Sequence, residues 1–287
     1  MNSDPIIYEK NDQIATIWLN RPEAGNRINR ALFLGLDKAI DKAKADDDVR
    51  VVIIAAKGED FCLGFDGSDP EACLGANETG EVSWTARREN TQEEIDLWMK
   101  IYDLPKPVIG VTQGRSMGGG VLLAFMCDCL IVDTDAEYDN SEFALGMNYT
   151  IYTPFDAWKL PMNIAKEKAF TGYSITAEEG YRHGMFNRVV PKDKTYAAAL
   201  KLAKRMLKLA PYTLTIHKEL YNMCYALQGI KDIVPYGKEV FNISLALPGT
   251  PENEELWRLA REEGGAAMEA KFREMLVALK EEENSPI

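Results

Sequence analysis

Residues 49–56 read VRVVIIAA, and this run constrains the chain more than any other. It is apolar almost throughout, of strand length, and does not alternate. It therefore suits a strand covered on both faces. Other runs join it. Residues 14–19, IATIWL, alternate and are β-branched, which predicts a strand. Residues 108–111 and 129–132 are two further short apolar runs. Between them the spacing turns helical. Asn29 stands as an N-cap before Leu32, Leu36, Ala39, Ile40 and Ala43. Residues 87–103 carry Ile95, Trp98, Met99 and Tyr102 on one face and stop at Pro105 and Pro107. Strand, helix and strand in alternation predict an α/β core with a parallel-type sheet and crossover helices.

From residue 146 onward the pattern is read as helical to the end. Thr176 and Glu179 form a capping box. Tyr196, Ala199, Leu200, Ala203, Met206 and Leu207 mark one helix, and residues 211–227 and the stretch after Ile230 continue in helix. Gly264 and Gly265 break the last run. Residues 113–120 are expected to be loop, and 70–83 a mobile surface excursion.

Charge and cysteine usage narrow the function. Thirty-three Lys and Arg against 45 Asp and Glu leave a net charge of −12, a field that opposes nucleic acid and anionic membranes. No run approaches the ~18 apolar residues of a membrane helix. The start MNSDPIIYEK has no basic stretch leading into an apolar one, so no secretory signal is expected. Five cysteines without a C-x-x-C predict reduced thiols and a cytoplasmic location. Cys127 and Cys129 flank Asp128, but two histidines in the whole chain leave a zinc site short of partners and nearly exclude a His-dependent triad.

Three segments are candidates for chemistry. The motif GRSMGGG at 114–120 lies between a predicted strand and a predicted helix. Successive glycines let neighbouring N–H groups point one way, and the helix start adds partial positive charge. The motif suits a phosphate cradle or an oxyanion hole; on spacing alone, a tight turn with close helix–strand packing is the commoner occupant. FCLGFD at 61–66 follows another strand. Two strand-end turns, each offering an N–H, would hold a thioester oxygen as it gains enolate charge. The third segment, YDNSE at 138–142, places a carboxylate just beyond a strand.

Taken in order, these segments resemble the crotonase (enoyl-CoA hydratase/isomerase) superfamily. LNRPEA at 19–24 resembles its N-terminal motif, 51–56 with 61–66 its first oxyanion loop, and 104–120 its lysine–proline to triple-glycine segment. Cys127-Asp128, Phe170-Thr-Gly172, residues 175–179 and residues 187–191 match later landmarks. The resemblance covers roughly residues 6–225. It implies the crotonase (ClpP-like) fold: repeated ββα units forming a spiral core at 1–195, which holds the active site, and a helical trimerisation region at 196–287. It implies acyl-CoA thioester substrates, no cofactor beyond the coenzyme A of the substrate, and a homotrimer or dimer of trimers. It implies an oxyanion hole from the N–H groups of Phe65 and Gly119, with Glu142 as acid/base. It further implies substrate contacts at Asn26, Arg27, Ile28, Leu63, Asp66, Gly118, Leu122, Tyr149, Tyr152 and Lys271.

The sequence departs from that pattern in three places. Leu122 stands where hydratases of the family commonly carry a first glutamate. MNYTIY at 147–152 replaces a glycine-rich stretch, and Phe65 stands where a small residue is usual. Hydration uses two carboxylates conveniently. Moving a double bond from β,γ to α,β needs one base, which removes the α-proton and returns it at the γ-carbon. Isomerisation is therefore slightly preferred. Asp139, Asn148, Tyr149 and Tyr152 are candidates for a proton relay or for binding a polar acyl group. Phe65, Trp84, Tyr149, Tyr152 and Trp158 are the aromatic candidates for shaping specificity. The alternatives are a C–C bond (β-diketone) or thioester hydrolase of the same fold, and a non-catalytic acyl-CoA binding scaffold.

Overall fold

The computed structural model describes residues 4–67, 69, 84–139, 153–244, 247 and 249–263, together with 267, 270, 271, 274, 275, 277, 278 and 281. The expected excursion at 70–83 and the break at Gly264-Gly265 lie outside the described residues.

The main sheet has six strands. β1 (Ile6–Asn11) and β2 (Ile14–Leu19) form an antiparallel hairpin that turns at Asp12, whose φ is +52°. β3 (Val51–Ala56), β4 (Val108–Thr112), β6 (Cys129–Asp133) and β9 (Arg188–Val190) follow in parallel, in the order β1-β2-β3-β4-β6-β9. A smaller sheet holds β5 (Arg115–Met117), β7 (Glu137–Asp139) and β8 (Ile175–Thr176) in that order. A strand of the main sheet leads, through a short turn, into one of the smaller sheet: β4 into β5, and β6 into β7. α3 (Gly119–Phe125) follows β5, so each ββα unit turns one step of a spiral.

Both faces of the main sheet are buried at β3 and β4, as the VRVVIIAA run requires. Alternate residues of β3 point opposite ways. Val52, Ile54 and Ala56 join one core with Leu32, Leu36 and Ile40 of α1 (Arg30–Ala45) and Ile95 and Trp98 of α2 (Trp84–Tyr102). Val51, Ile53 and Ala55 join a second core with Ala199 and Ala203 of α7 (Thr195–Met206). The helix covering this second face begins at Thr195. Asn29 does cap α1, its Oδ1 accepting from the Leu32 N–H at 2.9 Å.

The remaining helices are α4 (Thr153–Lys159), α5 (Met162–Thr171), α6 (Ala177–Arg182), α8 (Pro211–Leu227), α9 (Ile230–Ser244) and α10 (Pro251–Glu262). Lys168 and Asp156 pair at 3.2 Å between α4 and α5, with 0% and 3% of their side chains exposed. Thr176 and Glu179 make the expected capping box at α6. Two expectations fail for one reason. Residues 115–117, expected to be loop, form β5, and the region after residue 146, expected to be helical, contains β8 and β9. Elements of two or three residues are shorter than any period can register.

No helix among the described residues is long and apolar enough to cross a membrane.

Candidate active site

The turns at 61–66 and 114–120 meet beyond the ends of β3 and β4. Cys62 bridges to Ser116, and the Met117 N–H donates to the Cys62 carbonyl at 2.9 Å. The three glycines make this approach possible. Gly118 has φ +47° and ψ −115°, a conformation that side chains rarely adopt, and it aims the chain into α3. At Gly120 a Cβ would lie 2.2 Å from the Cys62 carbonyl oxygen, so only glycine lets the first turn of α3 rest on that loop. The tight turn with close packing is therefore what the motif builds.

The same geometry turns two amides outward. Phe65 bridges in parallel to Ile28, and the bonds run to its neighbours: Ile28 N–H to the Gly64 carbonyl at 2.8 Å, and Asp66 N–H to the Ile28 carbonyl at 3.0 Å. The N–H of Phe65 itself consequently faces away from Ile28. Gly119 is the first residue of α3, where N–H groups have no intrahelical acceptor. Among the described residues, neither the Phe65 N–H nor the Gly119 N–H finds an acceptor in the protein. The two residues are neighbours. A Cβ on Gly119 would meet Phe65 Cε2 at 2.8 Å and Ile28 Cδ1 at 3.2 Å, so the Phe65 ring and Ile28 wall the Gly119 Cα.

A polar frame fixes the turns. Arg21 reaches the Asp66 carboxylate at 2.9 Å and the Arg27 carbonyl at 2.5 Å. Asn26, 0% exposed with φ +52°, donates to the carbonyls of Lys57 and Asp60 at 2.8 and 3.0 Å and accepts from the Arg21 N–H at 2.9 Å. Both of its side-chain N–H groups and its Oδ1 are thus engaged in the frame. Leu63 donates its N–H to the Gly25 carbonyl at 3.0 Å. Asp60 accepts from the Arg115 N–H at 3.0 Å, and Gln113 donates to the Ala56 carbonyl at 3.0 Å. Sequence reasoning singled out none of Arg21, Asp60 and Gln113. Each directly follows a strand or leads into a turn, which is the signal that could have found them.

The other candidates fall into separate places. Leu122 is 0% exposed and belongs to the core that also holds Ile28 and Cys62. Arg27 is half-buried on the 21–28 turn. Lys271 is exposed and pairs with Glu274 at 3.0 Å. Trp158 donates to Gln228 at 2.8 Å and meets Tyr225 edge-on, and Trp84 is exposed. Glu142, Asn148, Tyr149 and Tyr152 lie outside the described residues. Asp139, the last described residue before them, is 4% exposed, accepts a hydrogen bond from Ser174 and is the register partner of Met117.

Thiol and metal chemistry gain no support here. Burial pushes the Cys62 and Cys127 thiols up to about 12, so neither offers a thiolate near neutral pH. Asp128 is occupied by the Val108 N–H at 2.7 Å and by Lys218 at 2.9 Å. No group of three His, Cys, Asp or Glu side chains able to hold a metal occurs among the described residues.

Known proteins resemble this chain over most of its length. A family model described as enoyl-CoA hydratase/isomerase matches residues 9–235. The chain is 28% identical over 215 residues to 2,3-dehydroadipyl-CoA hydratase of Escherichia coli, covering 75% of this chain and 80% of that one. It is 28% identical over 224 residues to short-chain-enoyl-CoA hydratase of Clostridium acetobutylicum, covering 77% and 82%. Among solved structures, an enoyl-CoA hydratase/isomerase from Xanthobacter autotrophicus superimposes with a TM-score of 0.83 at 28% identity, covering 94% of this chain and 98% of that one.

Proposed function

Since the chain belongs to the enoyl-CoA hydratase/isomerase family and is an enzyme of acyl-CoA chemistry, we propose that it holds the thioester oxygen between the Phe65 and Gly119 N–H groups while Glu142 moves the proton. One observation carries this reading: two neighbouring main-chain donors, from separate turns, without an acceptor among the described residues. Donors fixed before the reaction stabilise an enolate without reorganising as charge develops. Asp139, paired in register with Met117, brings the chain to within three residues of position 142 at the same end of the smaller sheet.

Leu122 bears on the choice between the reactions. Its side chain is packed in the core, so α3 brings no carboxylate to the amides. A single base suits transfer of a proton from the α-carbon to the γ-carbon of a β,γ-enoyl thioester, the slightly preferred chemistry. Hydration is the second reading, favoured because the relatives above are named hydratases. Product masses from 2-enoyl- and 3-enoyl-CoA separate the two, because hydration adds a water and isomerisation adds nothing. In either case Glu142→Gln is expected to lower turnover by about 10²- to 10⁴-fold while acyl-CoA still binds. Nearly full activity in that variant overturns the assignment of Glu142.

Assembly as a homotrimer or dimer of trimers belongs to the same proposal. Its support is the apolar stripe Tyr212, Ile216, Leu220, Met223 and Leu227, exposed along one side of α8.

A further inference from the structure

The residue that offers one of the two amides also lays its side chain against the residue that offers the other. The edge of the Phe65 ring, Cε2 and Cδ2, comes 2.8 and 3.2 Å from where a Cβ on Gly119 would stand, and Ile28 Cδ1 comes 3.2 Å from the same point. The ring edge and Ile28 together fill the space beside the Gly119 Cα. The backbones are close too. A Cβ on Gly64, the residue before Phe65, would stand 4.0 Å from the Gly119 nitrogen and 3.3 Å from the Met117 carbonyl oxygen.

Gly119 is buried and Ile28 is 1% exposed, whereas Phe65 is half-buried and packs against the core that holds Ile28. The bridge to Ile28 fixes the backbone that bears the ring, and a phenylalanine turns about only two side-chain torsions. An oxygen that accepts from both N–H groups lies about 3 Å from each nitrogen. Its carbonyl carbon carries two further atoms. One is the sulfur, the same in every CoA thioester, and the other is the acyl α-carbon, which differs from ligand to ligand. A stiff apolar wall sorts such ligands by shape, and one carbon too many against it costs about 10- to 200-fold.

We propose that the Phe65 ring walls the thioester carbonyl on its acyl side, so that the chain selects acyl groups without a branch at the α-carbon. The proposal rests on the reading above in taking the carbonyl oxygen to lie between the Phe65 and Gly119 N–H groups.

The test is calorimetric binding of butanoyl-CoA, 2-methylpropanoyl-CoA and S-butyl-CoA to the full chain, with Phe65→Ala and Phe65→Leu beside wild type. The two acyl groups are isomers that differ in branching alone. Wild type is expected to bind butanoyl-CoA about 10- to 100-fold more tightly than the branched isomer. Phe65→Ala brings the two affinities within about twofold of each other, and Phe65→Leu keeps part of the preference. Both variants retain the N–H of position 65, and because the ratio is taken within one variant, a general loss of folded protein leaves it unchanged. Equal affinities for the isomers in wild type, or a preference that survives Phe65→Ala, overturn the proposal. S-butyl-CoA lacks the carbonyl oxygen and so reads the amides separately. If butanoyl-CoA binds no more tightly than S-butyl-CoA, the carbonyl does not lie between the amides, and the proposal falls with that reading. If butanoyl-CoA binds more tightly than S-butyl-CoA but the branch makes no difference, the wall alone is overturned.

Discussion

The paired turns at 61–66 and 114–120 and the outer face of α8 are built on opposite plans. In the turns, side chains go inward and main-chain donors face out. Cys62, Phe61 and Leu122 are buried, and the polar frame of Arg21, Asn26, Asp60 and Gln113 is bonded within the protein. Along α8 the backbone is satisfied by the helix and apolar side chains face out, with Leu227 82% exposed. The first plan makes a small, rigid binding surface from atoms every residue possesses. The second makes a broad, featureless one from atoms particular to each residue. The turns thus find their hydrogen-bond partners within one chain, whereas the apolar stripe on α8 stays exposed.

Three variants probe that contrast. Gly120→Ala should act most strongly, because its methyl would need the space of the Cys62 carbonyl oxygen. Parting the turns is expected to cost ~1–3 kcal/mol of stability and about 10²-fold in turnover, as for a small misplacement of reacting groups. Steady-state kinetics and urea unfolding read both, and wild-type values would show the turns to be compliant. Arg21→Met should act next. It removes the pair with Asp66 and the bond to the Arg27 carbonyl, side chains 19% and 11% exposed, at about 1–3 kcal/mol in urea unfolding. An unchanged midpoint would mean that Asn26 holds the frame alone. Leu220→Glu should alter the stability of the subunit least, by roughly 0.5 kcal/mol or less, yet shift the mass seen by light scattering toward the monomer. If the wild-type chain is already monomeric, the stripe on α8 has another use.

How much was legible beforehand differs between the same two regions. The two-faced sheet could be read from VRVVIIAA, since a run without alternation has no side to turn to water. Asn29 and Thr176 could be read as caps because capping depends on neighbours three residues away. The meeting of the turns was expected from the resemblance and not from local pattern, because Cys62 and Ser116 are far apart in sequence and joined by main-chain bonds indifferent to residue type. Asn26 shows the same limit. As a sequence position it suited a ligand contact, whereas two of its three side-chain hydrogen bonds depend on Lys57 and Asp60, more than thirty residues away.

The bridge between Ile28 and Phe65 also governs how this chain can tolerate insertions and deletions. The residues on either side of Phe65 take the bonds to Ile28, so adding or deleting one residue between Cys62 and Phe65 would bring a different N–H to the outward position. This condition on length is independent of side-chain identity and would be seen in a library of length variants rather than of point substitutions.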